Sequence, residues 1–180
     1  MMIAKEAGMA LPDPWIMAQS QHWKPGGLVL DLAAGSGRHA RPLAARFRVL
    51  AVDRDERALA GMQAADGLMT CCHDLEDGSI WPFACQRFDA VLVSNYLYRP
   101  RLDAVFELVA AGGHIAYQTF AVGNAAFGRP SNPAFLLEEG ELARHLPADF
   151  TLLEHFHGMA ETASGKPAVI QRLAAKRDKN

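Results

Sequence analysis

Residues 28–40 read LVLDLAAGSGRHA, and the rest of the chain is organised around them. Leu28, Val29 and Leu30 form an apolar run too short for a helix and set off by Gly26-Gly27, which predicts a buried strand. Asp31, Ala33, Gly35 and Gly37 then alternate, and a helical pattern continues through Arg46. A strand, a glycine turn and a helix in that order point free backbone N–H groups at an anionic ligand group. Glycine lets the backbone come close because no Cβ stands in the way.

Two cofactor patterns use such a turn. Gly35-Ser36-Gly37-Arg38-His39-Ala40 fits the G-x-G-x-x-A spacing of dinucleotide sites. Asp31 separates the alternatives. A carboxylate at the strand end would repel a pyrophosphate, whereas it suits S-adenosylmethionine, which carries a sulfonium and an α-ammonium group. Asp31-Leu32-Ala33-Ala34-Gly35-Ser36-Gly37 resembles motif I of the class I S-adenosylmethionine-dependent methyltransferases. Ala33 stands where a first glycine is common, and alanine is the next smallest residue. The resemblance implies an α/β, Rossmann-like seven-stranded sheet of order 3-2-1-4-5-7-6, with the last strand antiparallel and helices on both faces. It also implies cofactor contacts from Asp31, Ala33, Gly35, Gly37 and Arg38.

Length and composition fit this. One hundred and eighty residues suffice for one domain that buries roughly 70% of its unfolded surface. Residues 1–180 are therefore expected to form a single domain, with 1–25 an N-terminal helical cap. Half the residues are apolar and 21% charged, and the net charge of −2 offers no basic face for nucleic acid. Cys71, Cys72 and Cys85 lack metal-ligand spacing and are odd in number, which predicts reduced thiols in a cytoplasmic protein. Met1 to Leu11 has no unbroken apolar core, so neither a signal peptide nor a membrane span is expected.

Along the chain, Asp13 followed by Pro14 signals a helix start, and Trp15, Ile16, Gln19 and Trp23 fall near one face. That helix either covers the sheet or, through Trp15, His22 and Trp23, forms a lid over the cofactor. Arg38 to Arg46 is expected as a helix and Phe47 to Val52 as the second strand, ending in Asp53. A carboxylate there can accept hydrogen bonds from both ribose hydroxyls. Arg54 follows, and its stem can pack on an adenine ring. Ala58 to Ala65 is expected as a helix and Leu68 to Cys72 as the third strand. Asp74 and Leu75 match, by position, the residues that take the adenine in the resembled family. Glu76 to Arg87 has no helical period, and Trp81 and Phe83 are expected to plug the sheet where a helix is missing.

Phe88 to Ser94 reads as a buried strand whose tip carries Asn95 and Tyr96, beside the first strand at the switch point. These resemble motif IV, where the methionine part of the cofactor and the substrate meet. Leu102 to Ala111 is expected as a helix, His114 to Phe120 as the fifth strand and Glu138 to Leu146 as the last helix. Phe150 to His157 and Ala168 to Ala175 read as a closing antiparallel pair, with His155 and His157 as surface histidines rather than a metal site. The segment 121–137 is long for a loop and is expected to be functional. The Arg99-Pro100 step and Phe127-Gly128-Arg129-Pro130 suggest the compact methyltransferase type found among tellurite-resistance proteins.

Methyl transfer needs alignment and exclusion of water more than a base. His22, Tyr98 and Tyr117 are candidate bases that the sequence does not rank, so no catalytic residue is named. Tyr98, Arg99 and Arg129 are expected to line a substrate site, the two guanidinium groups favouring a small anion. No metal or nucleic-acid partner is expected, and the chain is expected as a monomer or homodimer. The alternatives are an NAD(P)-dependent oxidoreductase and a non-catalytic S-adenosylmethionine-binding subunit.

Overall fold

Strand β1 (Leu28–Leu32) alternates its side chains between two separate cores, and that alternation sets the layers of the molecule. The computed structural model describes residues 10–62 and 66–179. Leu30 and Leu32 face one core and Val29 the other. Beside β1 run β2 (Arg48–Asp53), β3 (Leu68–Cys72), β4 (Phe88–Ser94) and β5 (Val109–Phe120), all parallel. The chain closes with β6 (Phe150–Glu161) and β7 (Pro167–Arg177), and β7 lies antiparallel to both β5 and β6. The seven-stranded order is β3-β2-β1-β4-β5-β7-β6, as the sequence predicts. The C-terminal ends of β1, β2 and β4 therefore meet at one edge, where the order reverses.

The helices are shorter than the periodicity suggests. Helix α1 (Pro14–Gln19) is capped by Asp13, whose carboxylate accepts the N–H groups of Trp15 and Ile16. Helix α2 (Ala40–Ala44) follows the glycine turn, which keeps Arg38 and His39 out of the helix. Helix α3 (Glu56–Ala60) is capped by Asp55; the remainder of the expected 58–65 helix falls partly outside the described residues, as does most of the N-terminal cap. Helix α4 (Leu102–Glu107) stops early because β5 begins at Val109, where Phe88 pairs with Val109 before the register shifts to Ala90 with His114. Helix α5 (Glu141–Arg144) is a single turn. No helix among the described residues is long and apolar enough to cross a membrane.

One face of the sheet is covered by α4, α5 and the helix-free crossover, whose Trp81 and Phe83 rings stack on each other, centroids 5.7 Å apart, in the same core as Leu30, Val52 and Val91. The other is covered by α1, α2 and α3 through Ile16, Leu43, Leu59 and Met62. On that side the strands present Ala51, Ala90 and Ala116, small residues that let the helices approach. Trp23 is buried against Phe47, with ring centroids 5.9 Å apart, just before β2 starts. His22 lies near His114, which pairs with Ala90 early in β4. Both His22 and Trp23 therefore sit towards the N-terminal ends of the strands, away from the switch point. The lid reading fails for them: Trp23 is buried closing the core at that end, and His22 is exposed there, away from the switch point.

Candidate functional site

The turn after β1 is held in a conformation that few side chains accept. Ala33 has φ +59°, Gly35 +56° and Gly37 +79°, all left-handed. A Cβ on Gly37 would meet the Met62 sulfur, whereas one on Gly35 would stand in open space. Gly35 is thus required by its backbone angle, and the space above it remains for a ligand. Ala33 adopts the same region with a Cβ in place, at a cost of about 1 kcal/mol. Asn95 at the tip of β4 is also left-handed, with φ +57°. Two non-glycine residues in this region, at the ends of the two central strands, mark the edge where strain is concentrated.

Asp53 clamps the turn. Its Oδ2 accepts the Gly35 N–H at 2.8 Å and its Oδ1 accepts the Asp55 N–H at 3.0 Å. A carboxylate offers about four lone-pair sites, so two remain for a ligand hydroxyl pair. Arg38 leaves the turn to donate to Ser94 Oγ at 2.7 Å, tying the turn to the end of β4.

Asp31 lies beneath this turn, 1% exposed, and its Oδ2 has no hydrogen-bond partner among the described residues. Burial pushes its carboxyl up to about 7, although the Ala40 N–H and Arg38 pull the other way. An unpaired buried carboxylate is costly, and a cation brought to it would remove much of that cost. The Tyr96 hydroxyl is the other buried group without a partner among the described residues. Burial first, then the Glu76 and Asp74 carboxylates, hold that phenol protonated well above its ordinary range.

Three cavities run along the edge. The first, about 130 Å³, is lined by Asp53, Arg54, His73, Asp74, Leu75, Glu76 and Tyr96. The second, about 250 Å³, shares Glu76 and Tyr96 and adds Asn95, Thr119, Phe120 and Phe135. The third, about 640 Å³, shares Asn95 and Phe120 with the second and reaches Arg38, Phe127, Arg129 and Lys166. Asn95 and Tyr96 are therefore the hinge of the series. Ala10 and Leu11 line the third cavity, so the chain entering α1 reaches the site even though His22 and Trp23 do not.

Among the expected cofactor residues, Asp53, Arg54, Asp74, Leu75 and Tyr96 come together at the first cavity. Asn95 stands at the second and third and Arg38 at the third, while Asp31, Ala33, Gly35 and Gly37 form the turn beside them. Asp74 also has a local role, since its Oδ1 accepts the Glu76 N–H at 3.0 Å.

The expected pairing of Arg99 with Arg129 does not form. Arg99 grips Glu141 with Nε and Nη2 at 2.6 and 2.9 Å, and donates to the carbonyls of Ala134 and Leu136 at 2.7 and 2.6 Å. Burial alone would raise the Glu141 carboxyl, but Arg99 and the Glu138 N–H outweigh it and leave it below its ordinary value. Arg99 fastens the 121–137 loop to α5 instead of facing a ligand, because a buried carboxylate outcompetes an open cavity for a guanidinium. Tyr98 opens the turn that carries Arg99 and lies outside the lining of all three cavities. Tyr117 is buried and donates to the Tyr96 carbonyl at 2.9 Å; burial raises its phenol far beyond a useful base.

A buried polar chain beside the site is absent from the sequence reading. His39 Nε2 accepts the Asp13 N–H at 3.0 Å, Asp13 Oδ2 accepts from Gln118 at 2.8 Å, and Gln118 Oε1 accepts from Arg172 at 2.6 Å. Burial, then Arg38, pushes His39 down to about 4, so it is neutral and its Nε2 is an acceptor. Arg172 lies over the rings of Trp15 and Phe156 at 5.4 and 5.8 Å. His39 belongs to the turn, which is the only local signal that could have drawn attention to it.

Comparison with known proteins supports the same assignment of fold. Residues 29–113 match the family model described as "Methyltransferase domain". TehB from Haemophilus influenzae superposes with TM-score 0.74 at 19% identity, covering 97% of this chain; the chain spans 65% of TehB's length. The N-methyltransferase NodS from Bradyrhizobium japonicum WM9, in complex with S-adenosyl-L-homocysteine, gives 0.66 at 15% identity over 90% of this chain and 83% of its own. Magnesium protoporphyrin IX methyltransferase (ChlM) from Synechocystis PCC 6803, with bound SAH, gives 0.65 at 20% identity over 91% and 78%. No curated protein matches the sequence. At these identities the structural likeness is one of fold.

Proposed function

We infer that this chain, a class I methyltransferase resembling TehB in fold, binds S-adenosylmethionine and moves its methyl group to a small anionic molecule. The observation that carries the reading is Asp31: a buried carboxylate with an unpartnered oxygen, under a glycine turn with open space above Gly35. A cationic amine suits that carboxylate and a pyrophosphate does not. The first cavity is lined by Asp53, Asp74 and Glu76, a second reason to favour a ligand with hydroxyls and an amino group over one with phosphates.

When bound, the cofactor supplies a methyl carbon on cationic sulfur, whose C–S bond breaks as the acceptor's lone pair bonds to carbon, leaving neutral S-adenosylhomocysteine. The chain's own residues then have three tasks. Asp53 accepts ribose hydroxyls with its two spare lone-pair sites while holding the turn. Asp74 would take the adenine amino group, with Leu75 and the Arg54 stem beside the ring. Asn95 and Tyr96, shared between neighbouring cavities, orient the acceptor and keep water out. No residue here is assigned as a base; a proton on the acceptor is released to bulk solvent.

The reading takes residues 1–180 as one cytoplasmic domain. Calorimetry with S-adenosylmethionine, S-adenosylhomocysteine, NAD and NADP tests it. The first two should bind and the nucleotides should not. Tight NAD or NADP binding without S-adenosylhomocysteine binding would overturn it.

A further inference from the structure

The third cavity is large and charged with one sign. About 640 Å³ is room for a drug-sized molecule and far more than a bare oxyanion occupies. Its described lining holds Arg38, Arg129 and Lys166 and no carboxylate, in a chain with 20 acidic and 18 basic residues. Asp13 and Glu161 line a small adjoining recess. Leu11, Phe120 and Phe127, with Pro167 and Ala168, supply its apolar surface, and Asn95, Asn124, Thr162 and Ser164 supply neutral polar groups. Leu11 and Phe127 are 68% and 42% exposed, apolar surface at the mouth that a ligand would cover.

Two of the cations are brought to this cavity by a device separate in sequence from the glycine turn. Lys166 stands at the tip of the β6–β7 hairpin. There the Thr162 N–H donates to the Lys166 carbonyl at 2.8 Å, and the Lys166 N–H donates to Thr162 Oγ1 at 3.2 Å. Arg129 stands in the 121–137 loop. Asn124, 2% exposed, joins the two: its Nδ2 donates to the Pro130 carbonyl at 3.0 Å and its Oδ1 accepts the Val169 N–H at 3.1 Å. Neither Arg129 nor Lys166 is in an ion pair among the described residues. Arg38 is engaged with Ser94 and belongs to the cofactor side.

We propose that the third cavity takes an organic carboxylate with an apolar body, its acid group held by Arg129 and Lys166 at the rim and its body along Phe120, Phe127 and Leu11. The far end of such a molecule reaches Asn95, where the second cavity begins. Its role as methyl acceptor rests on the methyl-transfer reading above. The carboxylate is an anchor in this arrangement, and a nucleophile at the opposite end is the group methylated.

The test is calorimetry on the full chain, with and without saturating S-adenosylhomocysteine. The probes are phenylacetate, 4-phenylbutyrate and octanoate, with their primary amides and sodium sulfate as controls. At least one acid should bind about ten-fold more tightly than its amide, and sulfate should not compete at equal concentration. Arg129→Ala and Lys166→Ala should each weaken that acid about three- to ten-fold while S-adenosylhomocysteine affinity holds. Phe127→Ala should weaken acid and amide alike. Amides binding as well as acids, sulfate displacing the acids, or no acid binding at all would overturn the proposal. Acids that bind to a chain which takes no S-adenosylhomocysteine would uphold the cavity and overturn the methyl-transfer reading instead.

Discussion

Asp31→Asn should change how stability depends on pH more than it changes stability itself. In the folded protein burial raises the Asp31 carboxyl from 3.8 to about 7, which at about 1.36 kcal/mol per pKa unit corresponds to about 4 kcal/mol. A folded pKa above the unfolded one means that the folded state holds the proton more tightly. The stabilisation is therefore complete below the unfolded pKa and is lost as pH rises through the folded one. His39 runs the opposite way: burial lowers it from 6.5 to about 4, so its contribution grows as pH rises across that interval. The two opposed slopes nearly cancel in the parent between about pH 4.5 and 6.5. Asparagine cannot titrate, so the variant should keep only the rising slope. Urea unfolding of both proteins at a series of pH values gives the difference directly, and other carboxylates cancel in it. That difference should move in favour of the variant by about 3 kcal/mol between about pH 4.5 and 7.5 and then level off. A difference independent of pH would refute the reasoning, because it would mean that Asp31 ionises as it does in the unfolded chain. The variant should also bind S-adenosylhomocysteine more weakly at about pH 8, since its amide cannot oppose a cation.

Three further outcomes follow from contacts in the structure. Asp53→Ala should weaken S-adenosylhomocysteine binding by about 1.5–3 kcal/mol and, because the Gly35 N–H loses its acceptor, also lower the unfolding free energy by about 1 kcal/mol; calorimetry and urea melts read the two, and Asp74→Ala should cost less in binding. Arg99→Ala leaves the Glu141 carboxylate, 7% exposed, without its partner, and should destabilise the fold by about 2 kcal/mol while S-adenosylhomocysteine affinity is unchanged. A fall in that affinity with no loss of stability would return Arg99 to the site. Ala33→Gly trades left-handed strain for chain entropy and should alter the urea midpoint little, within about 0.5 kcal/mol, whereas Ala33→Val should cost about 2 kcal/mol or more.

The parallel core of this fold is legible because its signals are local. Each of Leu68–Cys72 and Phe88–Ser94 is a short apolar run bounded by turn residues, and both strands begin and end where that pattern does. The helix ends are not, since α4 stops where β5 pairs with Phe88, a contact that no window of sequence contains. Arg99 shows the same limit at the site. Its position after the β4 tip suggests a ligand contact, but its partner Glu141 lies 42 residues on and is brought to it only by the loop and α5. Lys166 carries no motif at all. It becomes a cavity residue because the hairpin, fixed by pairing between β6 and β7, ends above the edge where the glycine turn lies. His39 is hidden for a further reason: within the turn it reads as an arbitrary position, and its partner Asp13 reads as an ordinary helix cap.

The hairpin divides the chain into parts under unequal constraint. From Phe150 to Glu161 every strand residue except Leu153, where the ladder bulges, is committed to a register with β7, and through β7 to β5 and the core. The few residues from Thr162 to Lys166 answer to no such pairing beyond their own turn, yet they form a wall of the third cavity. Descendants of this sequence can therefore lengthen, shorten or recharge that wall without disturbing the glycine turn or the sheet. Under the proposed function, the wall that meets the acceptor is thereby free to change while the residues around the glycine turn stay fixed.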